Sequence, residues 1–446
     1  MGELIPIAAI DVLPGDTFIT RANILARVAP LAKPVMHPVE VRIHHWFVPN
    51  RIIWDDWEEF IVGNSQGHTY PTLQPGSAIG SVLYDYMGVE PVLNVSKDAL
   101  PIYAYNKIWN EFYRDQDLST ARAQDNVFMA RIAWAKDYFT TARANPQQGT
   151  AVEVGFSQGS APILSDTATT GSNQEVTVDA TSAEVSLNID TANPFYADLS
   201  QATGGIDIND LRDAISLQRI AEAREFYGSR YVDYLRWYGV NPKDGRLDRP
   251  EYLGGGRQMI SFSEVLATAE GAGTDVGDLF GHGIAGVRQK PIRKMFEEHG
   301  WMISMLSVRP KGIYQTGVPR RFLRREPTDF WHRELELLPW QSIPDTEIFA
   351  AGSTSSVFGY TPRYDEYRET GSYVSGSFRG GTEEDWTLAR EFASQPTLNE
   401  SFIECEPSDR IYSDSSMPEL LVTINMNIKA RRLVAANARM SNRAGL

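Results

Sequence analysis

PVMHPVEVRIHHWFVPNRIIWDDWEEFI, residues 34–61, joins the strongest strand signal of the chain to one of its clearest helix signals through a single Pro-Asn step. From Val39 to Phe47 the odd positions are Val39, Val41, Ile43, His45 and Phe47, while the even ones include Glu40, Arg42 and His44. A period of two predicts a strand with one buried face. Pro49 stops the strand, and Asn50 is placed to accept from the free amides of the following turn, so a helix is expected to begin there. In that helix Ile53, Trp57, Phe60 and Ile61 share a face, Asp55, Asp56, Glu58 and Glu59 lie mostly opposite, and Gly63 ends it. Trp46, Trp54 and Trp57 are then structural anchors. His37, His44 and His45 suggest a metal, but adjacent histidines on a strand point to opposite faces and cannot chelate one ion together. The four carboxylates wrap a helix surface as solvated charges do, so no acid and base pair is expected.

At 446 residues and 42% apolar, the chain could fill two or three ordinary domains, or one domain swollen by insertions. No apolar run approaches the roughly 18 residues of a membrane span. The opening MGELIPIAAIDVLPGDTFIT has neither a basic leader nor a small-residue cleavage site. Neither membrane insertion nor leader-driven secretion is expected. The single cysteine, Cys405, excludes internal disulfides and suits folding in a reducing cytoplasm. A formal net charge of -15 disfavours nonspecific nucleic-acid binding by the whole molecule, so any contact with DNA must come from a local basic region.

Pro14-Gly15 marks a turn before TFITRANILARVAP, which reads as a first barrel strand with Arg21 and Arg27 outward. Residues 64–101 are rich in Pro, Gly and Ser and read as a long loop. From Ala104 to Arg143 the spacing predicts two amphipathic helices, one carrying Ile108, Trp109, Phe112 and Tyr113, the other Phe128, Ile132, Ala135 and Phe139. From Ala144 to Leu211 there is no Lys or Arg, while Asp and Glu recur among Thr, Ser, Gly and Ala. That shift predicts an acidic surface excursion at about residues 146–206, with small strands in EVTVDA and AEVSLNID, inside a helical insertion spanning 104–240. Helical spacing resumes with Leu211, Ile215, Ile220, Ala223 and Phe226, and the tyrosines and Trp237 of SRYVDYLRWYGV read as core.

NPKDGRLDRPEYLGGG, residues 241–256, is turn chemistry, and ISFSEVLAT follows as a short strand or helix start. Gly281, Gly283 and Gly286 match G-x-G-x-x-G, yet a dinucleotide site needs a strand before the motif and a helix after it, and Pro291 interrupts that helix. Trp301 to Val308 is apolar on both faces, as a strand between packed layers would be. The four arginines of VPRRFLRREP, residues 318–327, could hold phosphate, but interleaved with Phe322 and Leu323 they better suit carboxylates across a subunit contact. TEEDWTLAREF predicts a short helix capped by Thr382 with Asp385 three residues on, and LNESFIEC predicts a strand. LLVTINMNI sets Leu420, Val422, Ile424, Met426 and Ile428 on one face of a terminal barrel strand. Residues 429–446 then form a basic tail in which Lys429, Arg431, Arg432, Arg439 and Arg443 are accompanied by no acid. These five are the candidate nucleic-acid contacts, and a tail lying across a neighbouring subunit is the competing reading.

HHWFVPNRIIWDDWEEFI resembles the strand-to-helix segment near the start of the major capsid protein of microviruses, small icosahedral phages with circular single-stranded DNA. RYVDYLRWYGVNPKDGRLDRPEYLGG, HGWMISMLSVRPKGIYQTGVPRRF, and GYTPRYDEYRETGSYVSGSFRG followed by FASQPTLNESFIEC resemble successive blocks of that family, in the same order. They touch most of the chain from about residue 34 to 412. The acidic excursion falls where related phages have an insertion of variable length, and the tail has no clear counterpart. The resemblance implies a single domain over 1–446 with an all-β core: an eight-stranded antiparallel jelly roll with long, partly helical loop insertions. It further implies sixty copies in a T=1 icosahedral shell enclosing the genome. As partners it implies a small basic DNA-packaging protein, scaffolding and pilot proteins and a host surface receptor, in a virion assembled in the host cytoplasm. Eight strands of ordinary length use only about 50 to 80 residues, so most of such a chain must lie in loops.

Two other classes fit a β-rich chain, a β-sandwich carbohydrate-active enzyme working through two carboxylates and a carbohydrate-binding module. No nucleophile motif, metal-spaced cluster or phosphate loop supports either, and neither a catalytic residue nor a cofactor is expected.

Overall fold

A computed structural model describes residues 1–62, 67–74, 83–90, 95–149, 163–165, 174–175, 195–197, 208–228, 230–268, 275–414 and 416–434. Contacts divide the chain into two compact units, Met1–Pro146 with Gly228–Leu446, and Gln147–Tyr227. The smaller unit holds the helix Ile208–Tyr227 and an antiparallel sheet of Ile163–Ser165, Gln174–Glu175 and Phe195–Ala197.

The larger unit is built on long strands: β1 (Glu3–Val12), β2 (Thr17–Val28), β3 (Val39–Pro49), β4 (Glu251–Met259), β5 (Ser261–Leu266), β6 (Leu279–Arg288), β7 (Ile292–Met295) and β8 (Gly300–Pro310). After a hairpin of β9 (Trp340–Pro344) and β10 (Val357–Pro362) comes β11 (Leu420–Arg431). One sheet runs β4-β3-β8-β1, with Ala130–Arg131 beside the start of β1. In the other, β2 pairs with β11 along its whole length, and with β6 and β7 in turn on its opposite edge, and β5 lies outside β6. All these pairings are antiparallel, so the core is all-β.

Alternation explains which faces meet. Ile24, Ala26 and Val28 of β2, Val39, Val41 and Ile43 of β3, and Leu306 and Val308 of β8 form one buried cluster between the sheets. The other face of the β3–β8 sheet is covered by the helix Leu100–Ile108 and the π-turn Trp109–Tyr113, whose Ile102, Tyr105, Ile108 and Trp109 pack on Trp46, Val48, Ile303 and Met305. The single buried face expected for β3 therefore holds only to His44. From His45 onward both faces are buried, because a second layer lies on the side that alternation assigned to solvent. The same two layers account for β8, apolar on both faces as its sequence predicts.

Several local expectations are overturned. The Asn50 side chain caps nothing: Asn50–Ile52 is a 3-10 turn whose carbonyl at Asn50 receives the Ile53 and Trp54 amides, and the helix proper is only Trp57–Val62, with Ile61 exposed. Gly63 falls outside the described residues. The second helix expected before Arg143 is absent. That segment is irregular, tied by Asp137 to the Phe139 and Thr140 amides and by Ile132 to Gly2. The first strand is β1, ahead of the segment from Thr17 that the spacing predicts as the first. EYLGGG is strand β4, not a turn: it carries a bulge between Tyr252 and Gly254, where Gly254 has φ +139°, open to glycine at least cost. LNESFIEC holds a helical turn, Glu400–Ile403, because Asn399 accepts from the Phe402 amide. In the 382–392 segment Glu383, not Thr382, precedes the 3-10 turn Glu384–Trp386. The three glycines of GHGIAG lie within β6. A Cβ on Gly281 would sit 2.6 Å from the Lys33 carbonyl oxygen, so this glycine serves close chain approach.

Candidate shell and nucleic-acid surfaces

The register of β3 against β8 places His45 opposite Ser304 and Trp46 opposite Ile303. His45 is fully buried; its Nε2–H donates to Gln289 Oε1 at 2.7 Å, and the Ser304 hydroxyl, 2.6 Å away, donates to Nδ1. A neutral ring satisfies both partners, and burial holds its pKa below the usual histidine value. His44, on the other face, accepts from the Tyr113 hydroxyl at 2.5 Å. His37 donates to the Lys311 carbonyl at 2.8 Å. Burial pushes both down to about 4. The three histidines are thus used separately. Among the described residues no group of three or more His, Cys, Asp or Glu side chains is arranged to hold a metal ion.

Trp46 is buried, its ring centroid 4.2 Å from Phe112 and 4.9 Å from Tyr252. Trp54 and Trp57 are half-buried in a satellite of that cluster, with Trp54 packed on Phe60 at 5.1 Å and Tyr70 at 5.4 Å. The aromatics of the helix Tyr231–Trp237 are not core: Tyr231, Tyr234 and the adjacent Tyr238 are exposed. What fastens that helix is Arg230, whose guanidinium donates to the carbonyls of Asn110, Glu111 and Arg114.

The arginines of VPRRFLRREP divide. Arg320 donates to the Ser342 carbonyl at 2.7 Å and pairs with Glu347 at 3.2 Å, and Arg324 lies 3.7 Å from Glu366. Their carboxylates are in the same chain, which removes these two from the expected subunit contact; Arg321 and Arg325 stay exposed. Desolvation raises Glu347 to about 7 against the opposing pull of Arg320. A small cavity of about 150 Å³ opens beside this pair, walled by Tyr138, Phe139 and Tyr314.

The five candidate nucleic-acid contacts do not share one setting. Lys429 and Arg431 belong to strand β11, so the chain is not a free tail there, and both are exposed. Arg432 is engaged. Its Nη2 donates to the Asp11 carbonyl at 2.6 Å, its Nε lies 3.3 Å from Asp16 Oδ2, and its guanidinium sits 5.2 Å over the Phe18 ring. Asp16 is fully buried, so this ion pair closes the β1–β2 turn from the far end of the chain. Nothing in the local spacing of either residue signals the partner. Arg439 and Arg443 lie outside the described residues.

The sequence matches the family described as Capsid protein (F protein) over residues 1–439. It is similar to the capsid protein VP1 of Bdellovibrio phage phiMH2K, at 32% identity over 90% of this chain and 84% of that protein. It is also similar to the capsid proteins VP1 of Chlamydia phage 1, at 29%, and Spiroplasma virus 4, at 27%, each over 97% of this chain and 91% of the relative. With the family model matched over nearly the whole chain and a relative at 32% identity, the chain belongs to the Capsid protein (F protein) family of microviruses.

Proposed function

We propose that this major capsid protein builds a T=1 shell of sixty copies around a circular single-stranded DNA genome, and that its two antiparallel sheets form a jelly roll. The match over residues 1–439 carries the reading. The non-sequential strand order of both sheets supports the jelly-roll topology. Among the described residues no helix is long and apolar enough to cross a membrane. A small basic packaging protein, scaffolding and pilot proteins and a host receptor complete the proposed set of partners, with assembly in the host cytoplasm. Purified particles should protect circular single-stranded DNA from nuclease; particles that hold none would overturn the genome-enclosing role.

In this reading Lys429, Arg431, Arg439 and Arg443 touch the genome, while Arg432 is reserved for Asp16. Four cations neutralising up to four phosphates give a salt slope of at most roughly 2.8 for single strands, or about a fiftyfold loss of affinity between 50 and 200 mM salt. Replacing those four with Gln should leave shell assembly intact and lower DNA retention in a salt-dependent way. Failure of shells to form would show that these four side chains hold copies together rather than DNA.

The acidic excursion, about residues 146–206, is proposed to project from the outer surface, since a polar segment without cations gains nothing from burial. Most of it lies outside the described residues. Limited proteolysis of intact particles should cut there first, and protection there together with cleavage within β1–β8 would count against an outward position.

A further inference from the structure

On one side of the sandwich both sheets end in strands with open edges. Among the described residues β11 pairs only with β2, in an unbroken register of 12 residues, and β1 beyond Leu4 pairs with no strand but β8, its Asp11 carbonyl taken by the Arg432 side chain. Between these edges lies a cleft of about 600 Å³, walled by Ile5 and Ile7 of β1, Leu306 and Val308 of β8, and Val422 and Ile424 of β11. The inward side chains of β11 are consequently only half-buried, and Leu421 on its outer face is 51% exposed. β11 contains no proline and no bulge. Its first charged residue is Lys429, so none of the usual devices that protect an edge from pairing interrupts Leu420 to Ile428.

We propose that β11 is a contact strand between two copies of this chain, paired antiparallel across a two-fold axis at Asn425. The proposal rests on the capsid reading, which supplies the second copy. Directly opposed residues of an antiparallel pair share a face, so only an axis through a residue keeps the apolar side of both strands together. With the axis at Asn425, Leu420 faces Ala430, Val422 faces Ile428 and Ile424 faces Met426 on the cleft side. Every such pair is apolar. On the outer side Leu421 faces Lys429, Thr423 faces Asn427 and Asn425 faces itself, with no like charges opposed. The sequence of β11 is therefore complementary to itself, as an isologous contact requires. Strand addition extends the β2 sheet through the main chain and brings the two open clefts together.

Asn425→Cys tests the register, because the side chain is on the exposed face and the native Cys405 is buried. Mild oxidation of assembled particles should convert most of the variant to disulfide-linked dimers, while wild type yields none. Leu421→Arg opposes Lys429 with a like charge twice per contact; it should lower particle yield at least tenfold with the melting temperature of the unassembled subunit unchanged. Particles that form normally from both variants without a cross-link overturn the contact and leave the capsid reading standing. An absent cross-link with all β11 amides protected from hydrogen exchange in particles shows that another strand covers the edge, and also overturns it. Wild-type protein that never assembles overturns both.

Discussion

Replacing Trp46 with alanine is expected to cost about 3 to 5 kcal/mol, which is a large share of the roughly 5 to 15 kcal/mol that holds a typical domain together. The size follows from position. Trp46 sits in the second half of β3, on the face covered by the helix Leu100–Ile108, and touches Phe112 and Tyr252 from two separate segments. Truncation leaves a cavity among the rings of His44, Phe112, Tyr113 and Tyr252 in a close-packed layer. Trp54→Ala, at a half-buried site, should cost distinctly less. Chemical denaturation of the unassembled subunit checks both, and equal losses would show that the helix layer does not discriminate the two anchors.

Acidification should destabilise the subunit through its histidines. His37 and His44 are held down to about 4 against an ordinary 6.5. Between those values the unfolded chain binds the protons, so stability falls as pH drops from about 6.5 towards 4, by about 3 kcal/mol for each group. His45 acts in the same direction. Glu347 acts in the opposite one. Raised to about 7 from 4.5, it is costly when ionised, so acidification through that window relieves about 3 kcal/mol and offsets one histidine. Among these four groups the acid loss is about one histidine plus the share of His45. His44→Gln should flatten the pH dependence of the unfolding midpoint between 6.5 and 4 by about 3 kcal/mol; an unchanged slope would show that His44 is not desolvated in the folded chain.

The all-β core was legible because alternation is a local property: β2, β3, β8 and β11 each announce themselves within a dozen residues. What alternation could not show is a second layer. Nothing in VEVRIHHWFV says that Trp46 and Val48 meet a helix some sixty residues on. β4 looks like a turn in sequence because its glycines, which punctuate turns elsewhere, here admit a bulge and a close pass against β3: a Cβ on Gly255 would lie 2.1 Å from the Ile43 carbonyl oxygen. The helical spacing of Phe128, Ile132, Ala135 and Phe139 was real as a pattern, but the residues answer to different neighbours: Phe128 is exposed, and Ile132 bonds to Gly2. The tyrosines at 231–238 show the same limit: a helical apolar pattern does not by itself bury them, and Tyr231, Tyr234 and Tyr238 are exposed.

The basic segment shows the limit of charge counting. Five cations without a local acid read as one uncompensated tail, yet Arg432 finds Asp16 through the β2–β11 pairing, which brings the end of the chain beside its beginning. Ion pairs between segments so far apart follow from topology and are invisible to spacing. The same holds for Arg320 with Glu347 and Arg324 with Glu366.

The mass of the purified particle tests the central claim most directly. Sixty copies of a 49.9 kDa chain predict one closed species of about 3 MDa before DNA is added, seen as a single narrow peak by charge-detection mass spectrometry. A chain that stays at 49.9 kDa under every assembly condition, or that grows into a continuous range of masses without closure, would contradict the account.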